Sequence, residues 1–215
     1  MTTTAVIDYG MGNLRSVAKA LEHVACDGRI AITSERQVIR DADRVVLPGV
    51  GALRDCMAEL DRLQLIGVLE EVLRGKPFLG ICLGMQALLD ESEENNGTAG
   101  LGIIAGRALR FPKPAADTPE RQRLKVPHMG WSPVDQVKAH PLWQGIESGS
   151  RFYFVHSYYA MPADPDDVAA TTTYGKTFAS AIARDNIFAV QFHPEKSQHA
   201  GLMLLTNFMQ WDGSS

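Results

Sequence analysis

Residues 77–86, Pro-Phe-Leu-Gly-Ile-Cys-Leu-Gly-Met-Gln, run from an apolar stretch through a cysteine bracketed by glycines into a helical pattern. Residues 77–81 are apolar on both faces, as a strand buried inside a parallel sheet requires, and residues 85–90 are expected to be helical. Gly80-Ile81-Cys82-Leu83-Gly84 thus has the G-x-nucleophile-x-G form of a nucleophile elbow, placed between strand and helix. The spacing has a steric cause: a tight strand-to-helix turn brings backbone close on both sides, so small residues are needed two before and two after the nucleophile. A helix N-terminus also favours a thiolate through its dipole. The competing reading of Cys82 is an inert buried thiol, the common fate of a lone cysteine.

The same scheme recurs upstream. Residues 4–8 (TAVID) form a short β-branched run ending at Gly10-Met11-Gly12-Asn13, after which Leu14, Val17, Leu21 and Val24 repeat at the helical period. Residues 44–47 (RVVL) pass through Pro48-Gly49-Val50-Gly51 into a helix with Leu53, Met57, Leu60 and Leu63 on one stripe. A further helix at 66–74 should stop at Gly75 in the left-handed conformation. Three strand–helix units in succession predict an α/β fold with a central, mainly parallel, doubly wound sheet and flanking helices. Downstream, residues 91–102 read as a loop and 112–121, with three prolines, as a surface excursion. Residues 152–159, 168–174, 178–184 and 187–192 read as strands of an antiparallel C-terminal portion, with Asp185-Asn186 as a hairpin connection. Ser197 is the expected N-cap of a last helix burying Leu202, Leu205, Phe208 and Met209. Neither polar stretch is long enough for a linker, so residues 1–215 are expected to form a single domain.

The 215 residues are 45% hydrophobic and 21% charged, enough to bury a sizeable core without staples. With 21 basic against 25 acidic residues the net charge is −4, and no basic cluster exists of the kind a nucleic-acid binder carries. Three scattered cysteines, Cys26, Cys56 and Cys82, suggest neither a disulfide framework nor a thiolate metal site and fit a reducing cytoplasm. Cys26 and Cys56 are expected to pack in helices. No basic leader and no run of eighteen apolar residues exist, so neither secretion nor membrane insertion is expected.

A thiol nucleophile needs a base. His193-Pro194-Glu195 follows the apolar run 187–192 at a strand end, where loops of α/β sheets assemble sites. His193 would take the thiol proton and hand it to the leaving amine, while Glu195 would hold the imidazole in one tautomer and stabilise its cation. Taken alone, a strand-ending histidine is more often merely hydrogen-bonded. Pro48-Gly49-Val50-Gly51 offers backbone N–H groups that, with the N–H of Leu83, could form an oxyanion hole; an ordinary glycine turn is the other reading. Gly10-x-Gly12 lacks the third glycine of a dinucleotide fingerprint, so no nicotinamide cofactor is expected.

Residues 80–86 (GICLGMQ) with His193-Pro194-Glu195 resemble the class I, triad-type glutamine amidotransferases. Within them, residues 7–17 (IDYGMGNLRSV), 47–51 (LPGVG), 126–131 (VPHMGW), 154–158 (FVHSY) and 193–197 (HPEKS) resemble the glutaminase subunits of imidazole glycerol phosphate synthases, over nearly the whole chain. Leu53 and Arg54 depart from the pattern, as does the length around 112–122. The resemblance implies attack by Cys82 on the glutamine carboxamide, with His193 and Glu195 completing the catalytic set. It implies Val50, Gly51 and Leu83 at the oxyanion hole and a glutamine pocket formed by Gly49, Gly51, Gln86, His156, Ser157 and Tyr158. His156 has a plainer alternative as a hydrogen-bonded strand histidine. No metal or organic cofactor is implied.

Ammonia in water at neutral pH is mostly ammonium, so a synthase must receive it in a shielded passage and needs a docked partner. The resemblance implies a (β/α)8-barrel cyclase subunit joined in a heterodimer. Asn13, Arg15, Trp131, Tyr153 and Lys196 stand at positions near that interface. For Trp131 and Tyr153 core packing is the alternative, and for Lys196 an ordinary solvated lysine. Ligand on the cyclase is expected to raise glutaminase turnover by favouring the oxyanion-competent orientation of the Val50–Gly51 peptide. Rival functions are a glutaminase serving another synthase, a thiol hydrolase or peptidase using the same elbow, and a non-catalytic binding protein.

Overall fold

Strand β1 (Thr3–Ile7) is covered on both faces: Ala5 and Ile7 enter one apolar cluster and Val6 the other. Strand β3 (Arg44–Gly49) divides the same way, Val45 and Leu47 against Val46. This alternation is the signature of a doubly wound sheet, and it appears in a computed structural model that describes residues 2–25, 28–112 and 125–214. Cys26 and all of the expected proline-rich excursion except Pro112 lie outside the described residues.

Five parallel strands form the centre, in the order β2 (Arg29–Thr33), β1, β3, β4 (Phe78–Cys82), β14 (Ile187–Val190). Helices α1 (Leu14–Val24) and α6 (Gln198–Gln210) bury Val17, Leu21, Leu204, Leu205 and Phe208 on one face. Helices α2 (Arg36–Asp41), α3 (Leu53–Arg62) and α4 (Ile66–Val72) bury Ile39, Leu53, Leu60, Val68 and Leu69 on the other. Cys56 is buried in α3, as expected. Beyond β14 the sheet continues antiparallel through β13 (Lys176–Arg184), β11 (Tyr158–Pro162) and β7 (Ile104–Arg110); β5 (Leu89–Ser92) then pairs parallel to β7, and β6 (Thr98–Ala99) antiparallel to β5. Strand β12 (Val168–Tyr174) branches from β13 and is itself paired with β9 (Asp135–Gln136). A separate two-stranded ribbon pairs β8 (His128–Pro133) with β10 (Arg151–His156).

Several expectations are corrected. The unit β2–α2 is unforeseen, because β2 is an edge strand in which only Ala31 is buried and Ile32 stands exposed. The helix expected at 85–90 is the single turn α5 (Leu83–Gln86), and the chain re-enters the sheet at Leu89; the expected loop 91–102 carries β6 and a 3₁₀ turn. Gly75 is not left-handed; α4 ends at Val72, and the left-handed residue nearby is Gln64, which lets α3 turn into α4. The run 152–159 breaks at Ser157, so that β10 and β11 belong to different sheets. In α6 the buried stripe uses Leu204, with Leu202 and Met209 only half-buried.

The Asp185-Asn186 hairpin is present, with Arg184 paired to Ile187 and Asp185 at φ 48°. It returns the chain so that β14 runs parallel to β4 in the register Val190 to Ile81. The residues just past β14 therefore emerge beside Cys82, at the carboxyl ends of the strands where open α/β sheets bind ligands.

Candidate active site

Cys82 adopts φ 55° and ψ −104°, a conformation that side-chain-bearing residues rarely take and that persists only where the surroundings enforce it. The flanking glycines are required by contact. A Cβ on Gly84 would stand 1.9 Å from the Leu47 carbonyl oxygen, and one on Gly80 would stand 2.9 Å from the Gly84 carbonyl oxygen. Among the described residues the sulfur meets two hydrogen-bond partners, the Val155 carbonyl oxygen at 4.0 Å and Gln191 Nε2 at 3.7 Å.

His193 lies in the loop after β14, and its Nδ1 is 2.8 Å from Glu195 Oε1, with both side chains almost fully buried. Burial opposes the imidazolium, but Cys82 and Glu195 together outweigh it and push His193 up to about 10. No hydrogen bond closes on His193 Nε2 among the described residues, so the thiol acts on the ring across the gap between them. The backbone of His193 is clamped: its N–H donates to the Tyr153 carbonyl (2.9 Å), and Ser197 Oγ donates to its carbonyl (2.6 Å). Ser197 also accepts from the Tyr153 N–H (3.0 Å), so it stands at the N-cap position of α6 without capping the helix.

A pocket of about 310 Å³ opens over the sulfur, at the small end of ligand sites. Val50, Gly51, Leu83, Gln86, His156, Ser157 and Tyr158 line it with Cys82 and His193. Gly49 lies behind this wall, where a Cβ would meet Leu83 Cβ at 2.7 Å and the Tyr9 hydroxyl at 2.8 Å; that hydroxyl donates to the Pro48 carbonyl (3.0 Å). Gly51 has φ 87°, which leaves its peptide free of a Cβ penalty. Glu195 sits beside His193, near Asn13, Val17, Pro48 and Gly49, where there is no room for a water molecule.

His156 behaves as the plainer alternative, although it also lines the pocket. Its Nδ1 is 2.8 Å from the Tyr158 carbonyl and its Nε2 is 2.8 Å from His128 Nδ1, while His128 Nε2 lies 2.9 Å from Ser132 Oγ. The Tyr158 carbonyl can only accept, so the donors run in one direction: Ser132 to His128 to His156 to Tyr158. Burial pushes His156 down to about 3 and His128 down to about 4, keeping both neutral.

Trp131 and Tyr153 are not core residues. They face each other across the β8–β10 ribbon with ring centroids 6.0 Å apart, and Trp131 is 39% exposed. Lys196 places its Nζ 5.9 Å from the centre of the Tyr153 ring. Arg15 is exposed in the first turn of α1, and no metal-binding cluster exists among the described residues. Four features of the site escape the sequence reading: Gln191, the Val155 carbonyl, the His128–Ser132 support of His156, and Glu94, whose carboxylate accepts from the Leu53 N–H (2.7 Å) at the start of α3. Only Gln191 carries a local signal, a polar side chain two residues before His193 in an otherwise apolar run.

An elbow cysteine, a strand-end His-Glu pair and this sheet order define a class, and the chain belongs to it: the family model for class-I glutamine amidotransferases matches residues 5–211. Within that class the chain is 61% identical to imidazole glycerol phosphate synthase subunit HisH of Nitrosococcus oceani over the whole of both chains. It is 60% identical to the HisH subunit of Methylococcus capsulatus, over 99% of this chain and 98% of that one, and 56% identical to that of Pseudomonas putida, over 99% of each. It is thus a member of the HisH family of glutaminase subunits. Two solved structures share the fold at low identity. They are PurLQS from Thermotoga maritima (TM-score 0.69, 18% identical, 97% of this chain and 96% of that one) and a putative GMP synthase component from Thermoplasma acidophilum (TM-score 0.66, 21%, 98% and 93%).

Proposed function

We propose that this chain, acting as one domain in the cytoplasm, hydrolyses glutamine to glutamate and ammonia. It then passes the ammonia to a (β/α)8-barrel cyclase subunit of imidazole glycerol phosphate synthase in histidine biosynthesis. The observation that carries the reading is the buried His193, paired to Glu195 and lining, together with Cys82, one pocket sized for a small molecule. Cys82 Sγ gives its proton to His193 and attacks the carboxamide carbon. The N–H groups of Gly51 and Leu83 take the oxyanion, after reorientation of the Val50–Gly51 peptide. His193 delivers the proton to the amide nitrogen, the C–N bond breaks, and ammonia leaves a glutamyl thioester. Water then adds to the thioester, gives a proton to His193 and releases glutamate, and the proton returns to the sulfur.

Gln86, Ser157 and Tyr158 are assigned to hold glutamine, with Gly51 on the pocket wall, Gly49 letting Leu83 and Tyr9 pack close behind it, and His156 fixing the wall by its bond to Tyr158. The partner reading is supported by the outward face of the ribbon, where Met129 and Trp131 stand exposed between the buried His128 and Ser132, with Tyr153 opposite Trp131. Asn13, Arg15 and Lys196 are assigned to the same interface. The test is glutamate release from glutamine by the purified chain alone, then with the cyclase subunit plus its nucleotide ligand, with Cys82→Ala as blank. Low activity alone and a strong rise in the complex are expected. Equal activity in both conditions would remove the coupling, and activity on unrelated amides or esters without a partner would favour the hydrolase reading.

A further inference from the structure

Gln191 extends β14 by one ladder bond, its N–H donating to the Ser180 carbonyl at 2.9 Å, and its side chain is wholly buried. The direction of its amide is set by its neighbours. Gln86 spends both hydrogens of its own amide, one on the Tyr158 carbonyl (3.0 Å) and one on Gln191 Oε1 (2.9 Å). Gln191 Oε1 is therefore the acceptor and Nε2 is the group that meets Cys82 Sγ at 3.7 Å. The reverse orientation would oppose two NH2 groups and turn a carbonyl oxygen toward the sulfur. The Tyr158 carbonyl that anchors Gln86 is itself fixed by His156.

A neutral thiol is a weak acceptor, whereas a thiolate takes a charge-assisted bond. Among the described residues Nε2 of Gln191 has no other acceptor than the sulfur, so this buried donor is properly served only when the sulfur is ionised. The protonated sulfur has its own partner in the Val155 carbonyl. The two neighbours thus match the two protonation states.

We propose that Gln191 is a further catalytic residue of glutamine hydrolysis, donating an N–H to Cys82 sulfur as its proton passes to His193 and holding the charge that attacks the carboxamide. This rests on the glutaminase reading for its substrate but not for its effect on the sulfur. The titratable groups around that sulfur are His193 with Glu195 behind it, Tyr9 from β1's end, and His156 and Glu94 on the pocket wall.

The test compares the wild-type chain with Gln191→Glu, which keeps the acceptor for Gln86 and replaces the donor, and Gln191→Met, which removes both at similar volume. Two readouts are needed: iodoacetamide alkylation of Cys82 at pH 7 relative to pH 9.5, and kcat and KM for glutamate release in the complex with the cyclase subunit. Both variants are expected to lower the alkylation ratio about tenfold, the scale of one charge-assisted hydrogen bond, and to lower kcat by at least about that factor with little change in KM. A folded variant of either kind with the wild-type alkylation ratio overturns the proposal, and so does an unchanged kcat. A lowered ratio in a chain whose wild-type form releases no glutamate would instead overturn the glutaminase reading while leaving the donor to the sulfur in place.

Discussion

Gly201 is where α6 touches the loop that carries the proposed base, and Gly201→Ala should disable hydrolysis from outside the pocket. A Cβ there would stand 2.0 Å from the Pro194 carbonyl oxygen and 2.8 Å from Ser197 Cβ, whereas ordinary contact begins at 3.4 Å. Backbone meets backbone, so helix and loop must part by about 1.4 Å. The same loop is held by the His193 N–H bond to Tyr153 at 2.9 Å and the Ser197 bond to the His193 carbonyl at 2.6 Å. Stretched by that amount, both reach roughly 4 Å or more and are lost. Two bonds at about 1 kcal/mol each and an overpacking cost of about 1–3 kcal/mol give a loss of about 3–5 kcal/mol. At roughly 2–4 °C per kcal/mol for a chain of this size, melting should fall by about 6–20 °C. Displacing the imidazole by about 1 Å should lower kcat for glutamate release about a hundredfold at temperatures where the variant stays folded. The control is Gly67→Ala, at an exposed helical site where a Cβ meets nothing within 4 Å, and there neither kcat nor stability should drop. A folded Gly201→Ala chain with kcat within about twofold of wild type would show that this contact does not position His193.

Glu195→Gln keeps the size of the side chain but lets an amide N–H face His193 Nδ1, which favours the wrong tautomer; kcat should fall about 10³–10⁴-fold with melting nearly unchanged, and a smaller loss would demote the carboxylate. Burial holds His128 and His140 at about 4 and His156 at about 3, whereas the unfolded chain takes up those protons near 6.5. The unfolded state therefore binds more protons across that window, and the urea midpoint should fall as pH drops from 6.5 toward 4. His193 has the opposite sign: raised to about 10, its contribution is complete below pH 6.5 and is lost as pH rises through 10. A flat urea midpoint between pH 7 and 4.5 would contradict the buried neutral histidines. Trp131→Ala should weaken binding to the cyclase by about 2 kcal/mol, roughly thirtyfold in Kd by calorimetry, with the free chain's melting unchanged; an unaltered Kd would move the interface elsewhere.

The elbow was legible because its demands are local. The tight turn sets Gly80, Cys82 and Gly84 two residues apart and closes Gly80 against the Gly84 carbonyl, while the clash that keeps Gly84 small comes from the Leu47 carbonyl of β3. The hairpin at Asp185-Asn186 was legible for the same reason. Strand β2 was hidden because an edge strand with one buried residue lacks the apolar run that marks a central one. Residues 85–90 misled because Met85, Ala87 and Leu88 are buried whatever the backbone does, and an apolar run does not distinguish one helical turn from a path back into the sheet. The support of the site was invisible for a different reason: Gln86 and Gln191 are 105 positions apart, and nothing local to either announces the other.

The same distance explains why the nucleophile and the base are not positioned by the central sheet alone. Parallel pairing of β14 with β4 brings their strand ends together, but the loop that carries His193 lies beyond the last ladder pair. Beside the α6 contact at Gly201 and the Ser197 bond to the His193 carbonyl, that loop is restrained by β10, which accepts the His193 N–H at Tyr153 and neighbours the Cys82 sulfur at Val155. Among the described residues strand β10 is paired with β8 alone and forms no part of the large sheet. The ribbon that presents Trp131 and Tyr153 outward is therefore also the element that holds the base and touches the sulfur. A partner pressing on that face would reach both reacting groups through one strand, with no need for a longer route through the core.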